Sequence, residues 1–565
     1  MHDFYNKSII PLSIHIIYTL SYNITTMKKT IIAATMALGM GLSAMAQSTN
    51  PLLERRYNTP YEIPPFEKIT TDNYREAFLR GMEEQKKEID AIVNNAEAPT
   101  FQNTIAALDR SGQLLSRTAG VFYGLSRSCS TPELQNLESE LSPLLSAHSD
   151  YMNMNEGLFL RVKAVYDGQD KLNLNTEEKR LLEKTYKGFV RGGAMLDDAK
   201  KQRRSEINQQ LAKLQLQFNQ NLMHDTNNSY VTVSDAKELE GLPEADIQKA
   251  AALAERTGAK GKYRFNMQRP SCNPVLQYAK NRDLRRRVYE MYNNRCNHAD
   301  QYDNKAISAQ IVALRLEMAN LMGYKTFADM QLETRMAKKP ENVYHLLDQI
   351  WKPAVEAAER ELDDIRMMMR KDGIKGEPKP WDYMYYLDKA KQEKFNISEA
   401  EVSQYLEINN VIQGIFWTAN KLYGLSFRER TEDYPQYHKQ QQSWDVIDKK
   451  GNLIAIFYSD YYPRDGKGAG AWCGRFRPQS YDGAMRVQPI VTNVCNMTLP
   501  AEEGGPALQT VDNVLTMFHE FGHALHSFFR DVQYEGTGGV ERDFVELPSQ
   551  INEHWAFEPE VLRQY

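Results

Sequence analysis

The sequence predicts a mainly helical protein with a small β-sheet close to its C-terminal end. Most of the chain repeats apolar residues at steps of three and four, the period of an amphipathic helix. Between about residues 444 and 498 the pattern changes to short alternating runs, which are typical of strands. The helical period then returns at Phe518, Phe521, Leu525 and Phe528 and indicates a buried helix.

The N-terminal half is predicted to be a bundle of helices. A seam through Ile207, Leu211, Leu214, Phe218 and Leu222 describes the inward face of a long helix. The other helices predicted in this half are Tyr74–Val93, Phe101–Leu125, Pro132–Met152 and Asn173–Val190.

The helical pattern continues through the middle of the chain. Two segments carry it, Pro274–Arg295 and Asn304–Met322, and Gly323 ends the second.

The predicted sheet contains a hairpin and one further strand. Residues 444–447 and 453–458 flank a turn with Gly451, and residues 488–497 form the later strand. An extended peptide could add a strand to such a sheet, or the sheet could simply support a site beside it. The loop Arg464–Trp472 is rich in glycine, so we expect it to move over a bound peptide.

The segment from His519 to His526 contains the spacing of a metal site. On a helix, His519 and His523 lie one turn apart on the same face, so two imidazoles can bind one ion about 2.0–2.1 Å away. Glu520 is then beside the metal and free to accept a proton from water. This arrangement predicts a zinc hydrolase.

A catalytic zinc site needs a third protein ligand, and His526 is a poor candidate. It follows His519 by seven residues, about 10.5 Å of helix rise, so one ion cannot bind both on a straight helix. We expect His526 to lie next to the ligands, without contacting the metal.

A carboxylate after the turn Gly536–Gly539 is the better third ligand. Glu541, Asp543, Glu546 and Glu553 all compete for this role. Asp543 and Glu546 have the spacing of a helix-capping box. Glu546 and Glu553 are two turns apart on one face, so one could bind zinc while the other orients a ligand histidine. The spacing does not choose between them.

The segments 519–526, 541–546 and 548–550 resemble the core signature of the thimet oligopeptidase family of zinc metallopeptidases. The resemblance implies that Glu546 is the third ligand of one Zn²⁺ ion and that Glu520 is the catalytic base. It leaves Glu553 as a residue that fixes a ligand histidine.

Further segments extend this similarity from about residue 50 to the end of the chain. They are Pro64–Glu67, Pro99–Thr104, Trp381–Tyr383, Phe416–Asn420 and Pro489–Asn496. The resemblance implies two helical lobes around a deep substrate channel, with access for short peptides. It also implies release of dipeptides from free C-termini, with internal cleavage by an oligopeptidase of the same family as the alternative.

Family members continue beyond the position of Tyr565 with a tyrosine-rich helical segment and a histidine that bind substrate. We therefore expect this chain to be a fragment in which the C-terminal part is missing. An alternative is a truncated, zinc-binding helical module without activity.

The composition is that of a large enzyme rather than a nucleic-acid-binding protein. The chain has 565 residues, 42% hydrophobic and 25% charged, with a net charge of −5. No dense basic block suggests a nucleic-acid partner, and we expect a monomer. The five cysteines form no evident disulfide framework.

Residues 27–46 are typical of a secretory signal peptide, with cleavage after Ala46. We therefore expect export to the periplasm without a membrane anchor, and we interpret residues 1–26 as a non-native leader. The mature chain is predicted to comprise an N-terminal helical region, residues 47–270, and a metallopeptidase region, residues 271–565.

Overall fold

The computed structural model describes residues 50–500 and 504–565. Two units are separated after Arg56; residues 50–56 of the first contain a short 3₁₀ turn, Pro51–Leu53. The second unit, Tyr57–Tyr565, contains everything discussed below. The predicted leader and signal peptide lie outside the described residues, and the division at residue 270 stays a prediction.

The first part of the second unit is helical. Thr70 caps the first helix by accepting a hydrogen bond from the Asn73 backbone. The helices are α1 (Thr71–Val93), α2 (Gln113–Ser128), α3 (Pro132–Asn153), α4 (Glu156–Asp167), α5 (Thr176–Arg191) and α6 (Asp198–Asn228).

The helix predicted over 101–125 is interrupted. A π-helical turn at Phe101–Ala106 runs into a short helical segment, Ala107–Asp109, and α2 begins only after Gly112. Gly112 has a φ of 72°, and an added Cβ would lie 2.3 Å from the Gln85 side chain. Only glycine tolerates this left-handed conformation at such close approach.

The middle of the chain alternates short strands with further helices. They are β1 (Tyr230–Val233), α7 (Glu244–Arg256), β2 (Tyr263–Asn266), α8 (Arg269–Tyr278), α9 (Arg282–Asn293), α10 (Lys305–Leu321), α11 (Phe327–Leu332) and α12 (Pro340–Lys371). β1 and β2 pair antiparallel.

The helix predicted over 274–295 is two helices, because the chain breaks between α8 and α9. The Asn281 side chain accepts hydrogen bonds from the backbones of Asp283 and Leu284 and so caps α9. The buried Arg285 donates to the carbonyl of Ala279, which satisfies an acceptor at the end of α8.

The last part of the chain contains the sheet and the helices around it. These elements are α13 (Tyr383–Phe395), α14 (Glu399–Ser403), α15 (Ile408–Tyr423), β3 (Ser426–Glu429), β4 (Gln442–Ile447), β5 (Leu453–Asp460), β6 (Trp472–Arg477), β7 (Ser480–Asp482), β8 (Met485–Val487), β9 (Ile490–Val494), α16 (Val511–Phe528), α17 (Leu547–Glu553) and α18 (Pro559–Leu562).

Five strands form one mixed sheet in the order β3-β4-β5-β9-β6. β5 and β9 run parallel, and the other neighbours are antiparallel. The predicted hairpin is β4 and β5, and the later predicted strand contains β9. The sequence pattern did not indicate β3, β6 or the separate β7-β8 pair, so the five-stranded sheet is larger than predicted.

Helices α15 and α16 pack against the sheet around one hydrophobic core. Phe457 and Val491 of the sheet, Phe416 of α15, and Phe518 and Phe521 of α16 all belong to it. Burial of each large apolar side chain contributes about 1.5–3 kcal/mol. This core fixes α16, the helix of the histidine motif, on the sheet.

The glycine-rich loop before β6 is hydrogen-bonded to the end of α2, and its movement over a bound peptide stays a prediction. The Gly468 backbone N–H donates to the carbonyl of Arg127, and the Ser130 N–H donates to that of Gly466. An added Cβ at Gly466 would lie 2.3 Å from the Ser130 carbonyl oxygen. Here glycine permits close packing of the loop on the end of α2.

The predicted fold class, mainly α with a small β-sheet next to the motif helix, is confirmed. In the part of the chain that the structure describes, no helix has the length and hydropathy that crossing a membrane requires.

Candidate metal centre

The two motif histidines lie on one side of α16. Thr510 starts this helix by accepting a hydrogen bond from the Asn513 backbone. His519 and His523 follow one turn apart, with ring centroids 5.1 Å from each other. The predicted helical placement of the motif is therefore what the structure has.

Helix α17 crosses α16 at a glycine. An added Cβ at Gly522 would lie 2.5 Å from the carbonyl oxygen of Pro548 and 2.6 Å from Cα of Ser549. The Asn552 side chain donates a hydrogen bond of 2.6 Å to the carbonyl of Phe518. This backbone contact brings the two ends of α17 close to the histidines.

Glu546 lies immediately before α17 and faces both imidazoles. Its Oε2 is 3.2 Å from Nε2 of His519 and 3.1 Å from Nε2 of His523. The Ser549 hydroxyl donates to the same carboxylate at 2.8 Å. One possible ligand atom from each of these three residues, His519, His523 and Glu546, lies within 4.8 Å of the other two.

Glu553, at the other end of α17, contacts the opposite nitrogen of His519. Its Oε1 lies 2.6 Å from Nδ1. A carboxylate accepts, so Nδ1 carries the proton and Nε2 keeps its lone pair for a metal. The structure thus distinguishes the two glutamates, which spacing alone did not: Glu546 faces both imidazoles, and Glu553 contacts only the Nδ1 side of His519.

The side chains of the other two acidic candidates, Glu541 and Asp543, contact other segments of the chain. Glu541 forms an ion pair of 2.5 Å with Arg180 on α5. Asp543 accepts hydrogen bonds of 3.0 Å from the backbones of Met336 and Ala337. The predicted capping box of Asp543 and Glu546 is therefore wrong, because the Asp543 side chain is used by another segment.

Glu520 is buried beside the histidines and is only 6% exposed. Its Oε2 has no hydrogen-bond partner among the described residues. Burial raises the pKa of Glu520 to about 7, and the charge of Glu546 adds to this rise. The nearby His519 and Arg127 oppose it.

The ionisation of the remaining groups suits metal binding. Burial lowers the pKa of His523, which favours the neutral imidazole that binds metals. Burial opposes ionisation of Glu546, but the Ser549 hydrogen bond and the two histidines lower its pKa overall. His526 also has a lowered pKa, because of burial and the charges of Arg475 and Arg530.

A divalent zinc ion fits this donor set. Two imidazole nitrogens and one carboxylate oxygen are the ligands of many catalytic zinc sites, with bonds of about 2.0–2.2 Å. Donor atoms 3.1 to 3.2 Å apart are compatible with such bonds around a tetrahedral ion. Among the described residues, the converging group comprises His519, His523 and Glu546 and does not include His526.

Two residues near the site were missed by the sequence analysis. Ser549 lies one helical turn after Glu546, and that spacing could have indicated the hydrogen bond between them. Arg127 lies nearly four hundred residues before Glu520, yet the charges of these two residues act on each other. No local pattern could have indicated this second relation.

Comparisons with known proteins agree with the geometry. Residues 275–565 match the model of peptidase family M3. The dipeptidyl carboxypeptidase of Escherichia coli (strain K12) is 37% identical over 519 residues, which cover 91% of this chain and 76% of that protein. Oligopeptidase A of the same organism is 33% identical over 525 residues, with the same two coverages.

The family match covers the whole histidine motif, both helices of the site and the sheet below them. The relatives extend the similarity into the N-terminal helices. The chain therefore belongs to peptidase family M3, the thimet oligopeptidase family.

Proposed function

We propose that the chain is a zinc-dependent peptidase that releases dipeptides from the free C-termini of short peptides. The observation that carries this proposal is the convergence of His519, His523 and Glu546, with the carboxyl group of Glu520 unpaired beside them. The similarity to a dipeptidyl carboxypeptidase supports the choice of reaction.

Three side chains would hold one Zn²⁺ ion: the imidazoles of His519 and His523 and the carboxylate of Glu546. When bound, zinc supplies a Lewis acid that polarises the scissile carbonyl and lowers the pKa of water. Glu553 fixes the ring of His519 and its tautomer, and the Ser549 hydroxyl orients Glu546.

Glu520 acts as the general base in this proposal. It follows His519 directly, so its carboxylate lies beside the ligands and not among them. Its unpaired Oε2 can accept a proton from the attacking water and then deliver it to the leaving amine. Burial favours this role, because a poorly hydrated carboxylate binds a proton more readily.

The edge strand β6 is a candidate surface for the peptide backbone. It is the last strand of the five-stranded sheet, and its second residue, Cys473, packs against the core that contains Phe518 and Phe521 of α16. Addition of an extended peptide to such an edge would bind backbone groups independently of side chains.

An oligopeptidase that cuts internal bonds is the second candidate, and the similarity to oligopeptidase A favours it. Mass spectrometry of the products from one N-acetylated decapeptide separates the two. Successive loss of C-terminal dipeptides is the expected result, and a first cut at an internal bond would contradict it.

We also propose that the chain is exported to the periplasm after cleavage at Ala46. The basic start, apolar run and small residues of 27–46 support this. N-terminal sequencing of the native protein should begin at Gln47, and a start at Met1 would contradict the proposal.

A further inference from the structure

Arg127 is an exposed cation at the end of α2 whose guanidinium has no acidic partner. Among residues 50–500 and 504–565, no carboxylate forms an ion pair with it. The guanidinium carbon lies 4.1 Å from the ring centre of Trp472, the first residue of β6. A cation stacked in this way keeps its N–H donors available for an anion.

The support of Arg127 is rigid. Gly468 of the glycine-rich loop donates a backbone hydrogen bond to the Arg127 carbonyl. Arg464 of that loop donates to the Ser128 carbonyl at 2.8 Å and forms an ion pair with the buried Asp460. The fully buried Lys467 also donates to Asp460, at 2.9 Å. The backbone at Arg127 is therefore fixed to the loop before any ligand binds.

Helix α2 also packs directly on β6. An added Cβ at Gly120 would lie 2.7 Å from the carbonyl oxygen of Phe476, and one at Gly124 would lie 2.6 Å from the Phe476 ring. This close approach fixes the end of α2 above the edge strand of the sheet. Arg127 and the candidate peptide-binding edge therefore belong to one surface.

The start of β6 connects Arg127 with the helix of the histidine motif. Cys473 directly follows Trp472 and packs against the hydrophobic core that contains Phe521 of α16. Burial lowers the pKa of Arg127, and the charge of Glu520 opposes this effect. By stacking on Trp472, Arg127 therefore lies at the strand that packs against the motif helix.

We propose that Arg127 binds the C-terminal carboxylate of the peptide substrate and so selects free C-termini. This inference rests on the proposed function and names a group that would recognise the free C-terminus of the substrate. Arginine matches a carboxylate with two parallel hydrogen bonds, and stacking on Trp472 orients its plane. An amidated C-terminus carries no charge and loses this interaction.

Arg360 provides a matched control. It is also an exposed helical arginine, on α12, without an ion pair among the described residues. Arg360→Gln therefore removes the same positive charge without changing α2, β6 or the proposed carboxylate site.

The test measures binding without turnover. Zinc-loaded protein with Glu520→Gln is titrated with a fluorescent N-acetylated hexapeptide that carries either a free C-terminal acid or a C-terminal amide. We expect the acid to bind at least about tenfold more tightly, as for a charge-assisted hydrogen-bonded pair. Adding Arg127→Gln should remove this preference through a higher Kd for the acid alone.

Two further variants complete the experiment. Arg127→Lys keeps the positive charge without the planar pair of N–H donors and should retain part of the preference, whereas Arg360→Gln should retain all of it. An unchanged preference in Arg127→Gln, no preference in the parent, or its loss in Arg360→Gln would overturn the assignment. Hydrolysis of the acid peptide by protein that retains Glu520 is measured separately, so failure of the catalytic proposal is distinguishable.

Discussion

His519 presents Nε2 to the candidate metal site because Glu553 holds its other ring nitrogen. The contact of 2.6 Å joins residues 34 positions apart, and it depends on the crossing of α16 and α17. A hydrogen-bonded imidazole is both oriented and more basic than a free one, so it binds a metal more tightly.

Replacing Glu553 should therefore weaken zinc binding without removing a ligand. We expect Glu553→Gln to lower zinc affinity by about 10–100-fold, as measured by competition with a chromophoric chelator. Glu560→Gln, an exposed change on α18 that alters the net charge equally, should bind zinc like the parent. Equal affinities for all three proteins would show that the contact does not support the site.

At the residue scale, the sequence predicted the histidine motif more fully than it predicted which acidic residues contact the histidines. The spacing of His519, Glu520 and His523 is local, and a helix turns it directly into geometry. Four acidic residues remained possible as the third ligand, because their distances to the histidines depend on how two helices cross. Resemblance to a family selected Glu546, and the structure shows what occupies Glu541 and Asp543 instead.

The contact between α16 and α17 is the element on which the site depends. Gly522 lets the backbone of Pro548 and Ser549 approach α16 directly. Glu546 and Glu553 lie at the two ends of α17, so any shift of this short helix moves both. Gly522 therefore supports the metal site although it offers no ligand.

A methyl group at Gly522 should separate the two helices. We expect Gly522→Ala to destabilise the fold by about 1–3 kcal/mol, the usual range for overpacking, and to weaken zinc binding. Thermal unfolding and chelator competition measure the two effects. Gly188→Ala on α5 is the matched control, because its added Cβ meets nothing within 4 Å and alanine favours a helix. Unchanged zinc affinity in Gly522→Ala would contradict the argument.

At the element scale, periodic helices and the hairpin were predictable, whereas breaks and short strands were not. The break between α8 and α9 is stabilised by Asn281 and by the distant pairing of Arg285 with Asp382. Strand β6 has no clean alternation of polar and apolar residues, because β9 pairs with it and α2 packs closely on Phe476. Both the helix break and strand β6 are therefore determined by contacts between distant parts of the chain and not by the local sequence pattern.

At the scale of the whole molecule, the N-terminal helices hold the connection between α16 and α17. Asp109 accepts from the backbone of Gly536 at 2.8 Å, and Glu177 accepts from that of Tyr534 at 2.9 Å. These contacts join residues 427 and 357 positions apart, so no local pattern could predict them. The metal site thus depends on both predicted regions of the chain.

Removing the metal should therefore affect the stability of the fold as a whole. A ligand that binds only the native state at 100 times its Kd adds about 2.7 kcal/mol. We expect a chelator to lower the apparent melting temperature by several degrees and added zinc to restore it. His523→Ala should show no such response. Chelator-sensitive melting without hydrolysis would favour the inactive zinc-binding module over the peptidase.

We propose that His519, His523 and Glu546 bind one zinc ion while Glu520 remains free to transfer protons. The most direct measurement determines zinc content and peptide hydrolysis together for the parent, Glu520→Gln and His523→Ala. We predict one zinc per chain in the parent and in Glu520→Gln, with hydrolysis lowered at least about 10²-fold in the latter. His523→Ala should lose both zinc and activity. Hydrolysis at the parent's rate in either variant would contradict the account.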